Sequence, residues 1–143
     1  MIMNQMIGLL KFIFYISVFL LIVVTLYPGS LLGFLLYGDL GMQPNLAKNP
    51  YFTPIPVHLY TYASIINHFV AYFYLTALGL FLYLKSYNFQ KIIYSFFFLS
   101  IFLEILQIII PRRAFEIFDV AANLAGVLVA YCLVKIYRLW KNH

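Results

Sequence analysis

The chain has 143 residues, 65% of them hydrophobic, 20% aromatic and only 9% charged, with a mean hydropathy of +0.96. Soluble domains carry about 25% charged residues, so a water-soluble fold is excluded and the composition is that of an integral membrane protein. The net charge of +5 accompanies no basic run on a soluble domain, which fits a bias of Lys and Arg toward one membrane face and speaks against nucleic-acid binding.

The first apolar segment covers residues 7–27, with Lys11 near its start. It is long and no small-residue cleavage pattern follows it, so it reads as a first membrane helix rather than a cleaved signal peptide. Pro28 and Gly29 break it, and residues 31–37 are too few to span a bilayer, which predicts an interfacial or re-entrant extension. Residues 38–57 form a loop rich in Pro, Gly and Asn, bracketed by Tyr51, Phe52, Tyr60 and Tyr62 as an interfacial belt.

A second span is expected over 59–84, with Ser64, His68 and Tyr72 at i, i+4 and i+8 on one face. The third, 92–110, stops at Pro111; the fourth, 117–136, is closed by Lys135, Arg138 and Lys141, with Trp140 as an interfacial anchor. Ala122, Gly126 and Ala130 make a small-residue stripe that lets another helix approach closely and offers a contact for a homo-oligomer. Cys132 is the single cysteine and can form no intramolecular disulfide. The expected fold is all-α: a polytopic membrane protein of four transmembrane helices, packed as one small bundle over residues 1–143.

Orientation follows from the basic residues. With the amino terminus inside, Lys11, Lys85, Lys91, Lys135, Arg138 and Lys141 are cytoplasmic and Lys48, Arg112 and Arg113 lie outside, which predicts both termini in the cytoplasm.

The stretch from Glu104 to Gly126 then stands out, because its carboxylates, amides and arginines are set among Ile, Leu, Phe and Val, where each polar group carries a desolvation cost. Glu104 and Gln107 share a face at i, i+3, and Asp119 and Asn123 share one at i, i+4. A tight turn makes the third and fourth helices antiparallel neighbours, and the rise of about 1.5 Å per residue sorts the polar groups into two layers. Glu104 and Asn123 form one; His68, Gln107 and Asp119 form the other. Arg112 or Arg113 folds back as counter-ion. The candidate ligand-binding set is therefore His68, Tyr72, Glu104, Gln107, Arg113, Asp119 and Asn123, with Glu104 and His68 as the candidate acid or base of any reaction. His68, Glu104 and Asp119 offer donors to a metal in principle, but one histidine with two carboxylates far apart in sequence, and no HExxH, is a weak set. No metal and no cofactor are expected.

The run Glu104, Gln107, Pro111, Arg113, Asp119, Asn123 and Gly126 resembles the pattern ExxQxxxPxRxxxxxDxxxNxxG of the VanZ-like family of small bacterial membrane proteins. His68, Ala71 and Tyr72 in NHFVAY are similar to that family's DKxxHxxAY, with Ser64 and Ile65 standing where the family has Asp and Lys; Tyr27 and Pro28 add a weaker match. The resemblance implies a multi-pass protein of the bacterial cytoplasmic membrane with an envelope-facing role, since the family's named member is linked to low-level resistance to the glycopeptide antibiotic teicoplanin; it does not supply a reaction.

Three functions follow in order. The first is binding of an envelope amphiphile, lipid-linked head group or glycopeptide at an outward polar cavity, with membrane lipids as the surrounding partner. The second is a structural or assembly partner whose polar cluster only locks the fold. The third is a membrane-embedded enzyme acting on a lipid-linked substrate, against which stands the lack of a nucleophile elbow or phosphate loop.

Overall fold

The computed structural model describes residues 2–28, 38, 57–84, 89–110 and 115–141, with side chains described from residue 5 in the first helix and from residue 64 in the second. The expected extension at 31–37, the loop after Gly38 and the turn carrying Pro111, Arg112 and Arg113 lie outside the described residues. Four helices make up the rest: α1 over Ile2–Leu26, α2 over Val57–Leu82, α3 over Phe89–Gln107 and α4 over Ile117–Lys141. There is no strand among the described residues. Each helix is long and apolar enough to cross a membrane, where a backbone without water must satisfy its own amides and carbonyls. The chain is a multi-pass membrane protein.

Most helix ends differ from the sequence expectation by one to five residues: α1 starts at Ile2 and ends at Leu26, α2 runs two residues earlier at both ends, and α3 starts at Phe89; two further differences have a visible cause. α3 ends at Gln107 rather than at residue 110, and the amides of Ile108, Ile109 and Ile110 instead bond carbonyls three residues back at 3.1, 3.2 and 3.2 Å. A proline at position 111 disfavours α-helical backbone in the residue before it, so the chain tightens ahead of the turn. At the other end α4 runs to Lys141, past residue 136. Charge ends the apolar run there without ending the helix: Lys135 lies 5.3 Å from the Tyr131 ring centre, Arg138 4.9 Å from that of Phe89 and Lys141 5.9 Å from that of Tyr137.

The tightest contact in the bundle is between α2 and α4. Gly126 permits it: a Cβ there would overlap the carbonyl oxygen of Phe69 and come within 2.9 Å of the Phe73 amide nitrogen. Ala122 and Ala130 are buried on the same stripe. At Gly126 the stripe meets α2 of the same chain, and at Ala122 and Ala130 it is buried within the single chain.

Around this pair, Phe14, Tyr72, Leu75, Phe96 and Val127 form the main apolar core. Phe14 and Tyr72 both meet the Phe96 ring edge-on, at centroid distances of 6.2 and 6.4 Å, the geometry that ring quadrupoles favour. A second cluster of Leu80, Phe89 and Val134 fills the end where the chain passes from α2 to α3. α1 is peripheral, and among its described residues only Phe14 is buried. Outside this core the surface is apolar: Phe12, Phe19, Tyr94, Phe98, Ile109 and Phe118 are each more than half exposed, as suits side chains facing lipid.

Candidate functional site

The polar residues gather at the opposite end of the bundle from the basic ones. Lys11 stacks over Tyr83 just beyond α2, and Arg138 over Phe89 at the start of α3. The carboxylates lie where α3 ends and α4 begins. α4 starts with the amides of Asp119 and Val120 both bonded to the Glu116 carbonyl at 3.0 and 3.2 Å. That start sets Asp119 in the first turn, where a negative charge is favoured by the helix dipole, with Asn123 one turn on.

His68 on α2 connects these groups. Its Nδ1 lies 3.0 Å from Asn123 Oδ1 and 3.9 Å from Glu104 Oε1, and its Nε2 lies 3.3 Å from Asp119 Oδ2. One imidazole therefore spans both layers that the sequence had separated by depth. Ser64, one turn before it, donates to Asp119 Oδ2 at 3.5 Å. Glu104 and Asn123 are each 1% exposed, whereas a quarter of the His68 side chain is open.

Much of this set lacks protein partners. Both carboxylate oxygens of Glu104, Oδ1 of Asp119, the Tyr72 hydroxyl and the Thr76 hydroxyl are buried with no hydrogen bond among the described residues. A buried polar group left in this condition costs roughly 1–3 kcal/mol, which makes the Glu104 and Asp119 oxygens and the Tyr72 hydroxyl candidates for contact with a ligand. One donor atom each from His68, Glu104 and Asp119 fall within 4.8 Å of one another. The fold assembles three donors that sequence separation had made a weak set.

Beside the cluster is a cavity of about 180 Å³ lined by Leu21, Val24, Thr25, Asn67, His68, Ala71, Tyr72 and Gln107. A second, almost wholly apolar hollow of about 310 Å³ between α1 and α2 shares Leu21, Val24 and Ala71 with it and extends to Ser17, Leu20, Tyr74 and Leu75.

Of the sequence candidates, the structure brings together His68, Tyr72, Glu104, Asp119 and Asn123. Gln107 lines the same cavity as His68 and Tyr72 and reaches across it to α1, donating from Nε2 to the Thr25 carbonyl at 3.4 Å. Arg113 lies outside the described residues. Thr76 was not among the candidates, although it continues the Ser64, His68, Tyr72 spacing by one more step of four. Thr25 acts through its main-chain carbonyl, which no side-chain pattern announces. The arrangement is not that of a hydrolytic triad, because the Ser64 hydroxyl touches the carboxylate and not the imidazole.

A family model described as VanZ/LLP1 matches residues 12–138. Comparison with curated proteins and with solved structures gives no match.

Proposed function

The chain belongs to the VanZ/LLP1 family, and from that premise we propose that it binds a lipid-like molecule of the bacterial envelope, with the polar head at His68 and Tyr72 and the hydrocarbon part between α1 and α2. The observation that carries this reading is the continuity of the two hollows. The polar one presents imidazole, phenol and amide groups, and the apolar one joins it through Leu21, Val24 and Ala71. A polar end beside an open, almost wholly apolar hollow matches an amphiphile and suits a fully water-soluble ligand poorly.

The site faces out of the cell in this reading. Lys11, Lys135, Arg138 and Lys141 lie toward the other end, and basic residues favour the cytoplasmic face; four spans then put both termini in the cytoplasm. The ligand is a lipid-linked glycan head group or a lipid-bearing glycopeptide such as teicoplanin, held so that its access to the cell surface changes.

The test is teicoplanin susceptibility of a sensitive Gram-positive host carrying no chain, the wild-type chain or Tyr72→Phe at matched membrane abundance. Protection by the wild type that falls in the variant supports the reading. Absence of protection from an abundant wild type, together with no lipid retained on the purified chain by mass spectrometry, overturns it.

A second reading has its own observation. His68 joins α2 to α4 through both ring nitrogens, as a folding lock would. In that case Tyr72→Phe leaves activity unchanged, and only variants at His68 or Asn123 alter it, in step with stability.

A further inference from the structure

We propose that His68, Glu104 and Asp119 bind one divalent transition-metal ion of the zinc class, which ties α2, α3 and α4 together at the polar end of the bundle. The proposal goes beyond amphiphile binding and does not depend on it.

The hydrogen-bond pattern around His68 comes first. Asn123 presents its carbonyl oxygen to Nδ1 at 3.0 Å, and an amide oxygen can only accept, so Nδ1 carries the hydrogen. The other nitrogen, Nε2, then faces Asp119 Oδ2 at 3.3 Å. In a neutral imidazole both of those atoms are acceptors, and something positive must lie between them: a proton or a metal ion. A ring nitrogen that ligates metal while the other donates to an oxygen is the usual arrangement of a metal-bound histidine.

Glu104 decides between proton and metal. A proton on Nε2 would satisfy Asp119 but leave both Glu104 oxygens, at 1% residue exposure, without a side-chain hydrogen bond among the described residues, the Glu116 backbone amide being a nearby donor to them. With Glu104 ionised, the two carboxylates and an imidazolium would also sum to −2 + 1 = −1, whereas a neutral Glu104 would balance the imidazolium without a metal. A dication gives −2 + 2 = 0 and takes up the bare oxygens of both Glu104 and Asp119. Among the described residues, neither carboxylate pairs with any cationic side chain but His68. One donor atom of each residue falls within 4.8 Å of the others; Glu104 approaches His68 at Nδ1, 3.9 Å away, so its carboxylate turns toward Nε2 to complete the set. Zinc with nitrogen and oxygen donors at about 2.0–2.2 Å requires neighbouring donors roughly 3.4 Å apart, so the widest separation closes by up to about 1.4 Å through side-chain rotation. A single nitrogen with two carboxylates favours zinc or manganese over calcium, which takes six to eight oxygens, and over copper(I), which takes sulfur.

The experiment uses the full chain, purified in detergent with a cleavable tag that contains no histidine and with no chelator present. Elemental analysis of the monodisperse wild type is expected to give close to one zinc or manganese per chain. After stripping with EDTA, titration with cobalt(II) is expected to give the visible absorption of a nitrogen- and oxygen-ligated ion. Glu104→Gln and Asp119→Asn are each expected to weaken cobalt binding at least about ten-fold, while Cys132→Ser, which removes the exposed thiol, keeps it. Should the variants aggregate, the stripped wild type must still melt at a higher temperature when zinc is restored.

A wild type with far less than one ion per chain and no spectral response to cobalt overturns the site. So does binding that survives in both carboxylate variants, which marks an adventitious ion only, and so does a stripped chain whose melting is indifferent to zinc. Teicoplanin protection without metal would remove this proposal and leave the amphiphile reading; metal without protection would do the reverse.

Discussion

Gly126 brings α4 so close to α2 that any side chain there would press on the backbone of Phe69 and lie within 2.9 Å of the Phe73 nitrogen. Asp119 and Asn123 of α4 reach His68 because of this approach, and its consequences are measurable.

Gly126→Ala is expected to lower stability by about 1–3 kcal/mol, since the added methyl meets main chain that cannot rotate away. Gly79→Ala is the comparison. Its methyl would meet the Phe14 ring edge at 2.9 and 3.1 Å and an Ile92 methyl at 3.1 Å, side-chain ends that can shift, and its cost is expected to be the smaller of the two. Thermal melts of both variants in one detergent give the order, and equal losses would contradict it.

Phe14 is the single buried residue among those described on α1, and Tyr15 adds one hydrogen bond, 2.8 Å from its hydroxyl to that of Tyr83. Phe14→Ala is expected to loosen α1, with a loss toward the low end of the roughly 3–5 kcal/mol seen for buried Phe→Ala, because lipid can enter the gap. In a Cys132→Ser background with cysteines at 15 and 83, a short cross-linker should join α1 to the end of α2 in the parent and much less in Phe14→Ala. Undiminished cross-linking would show that α1 is held elsewhere.

Tyr72→Phe removes a hydroxyl that is buried and has no partner among the described residues. Stability is expected to stay level or to rise by up to about 1 kcal/mol, since an unsatisfied group is deleted and the ring contact with Phe96 is kept. Loss of teicoplanin protection at unchanged melting temperature would assign the hydroxyl to a ligand. A lower melting temperature would mean it has a structural partner.

The contact between His68 and Asn123 is open to a double-mutant cycle with His68→Ala and Asn123→Ala in the metal-stripped chain. The expected coupling is about 0.6 kcal/mol, the mean for hydrogen bonds between membrane helices. Coupling near zero would mean that the two residues do not bond in the bilayer.

The sequence told most about periodicity and least about partners. Four spans follow from hydropathy, and the pairings of Glu104 with Gln107 and of Asp119 with Asn123 follow from helical spacing. Which faces meet does not follow: Gln107 shares a helix face with Glu104 yet bonds the Thr25 carbonyl, and a main-chain acceptor on another helix leaves no trace in residue identity. The layer argument placed His68 by depth, but an imidazole is long enough to touch groups a turn apart on α4. The small residues were legible as a close-approach stripe, while the identity of the approaching helix rests on the backbone positions of Phe69 and Phe73. The end of α4 was misplaced because positive charge stops burial in lipid without breaking a helix. Ser64 stands where the family pattern has aspartate, and it donates to Asp119; a carboxylate there would have faced another.

The apolar hollow between α1 and α2 is bordered by Leu20, Val24 and Tyr74, all about half exposed toward the hydrocarbon. A molecule that reaches His68 by this route has first dissolved in the bilayer, so its partition coefficient, and not its bulk dose, sets the concentration the protein meets. Two antibiotics with the same sugar and peptide parts would then be told apart by the presence of a fatty chain, before any hydrogen bond to the protein is made.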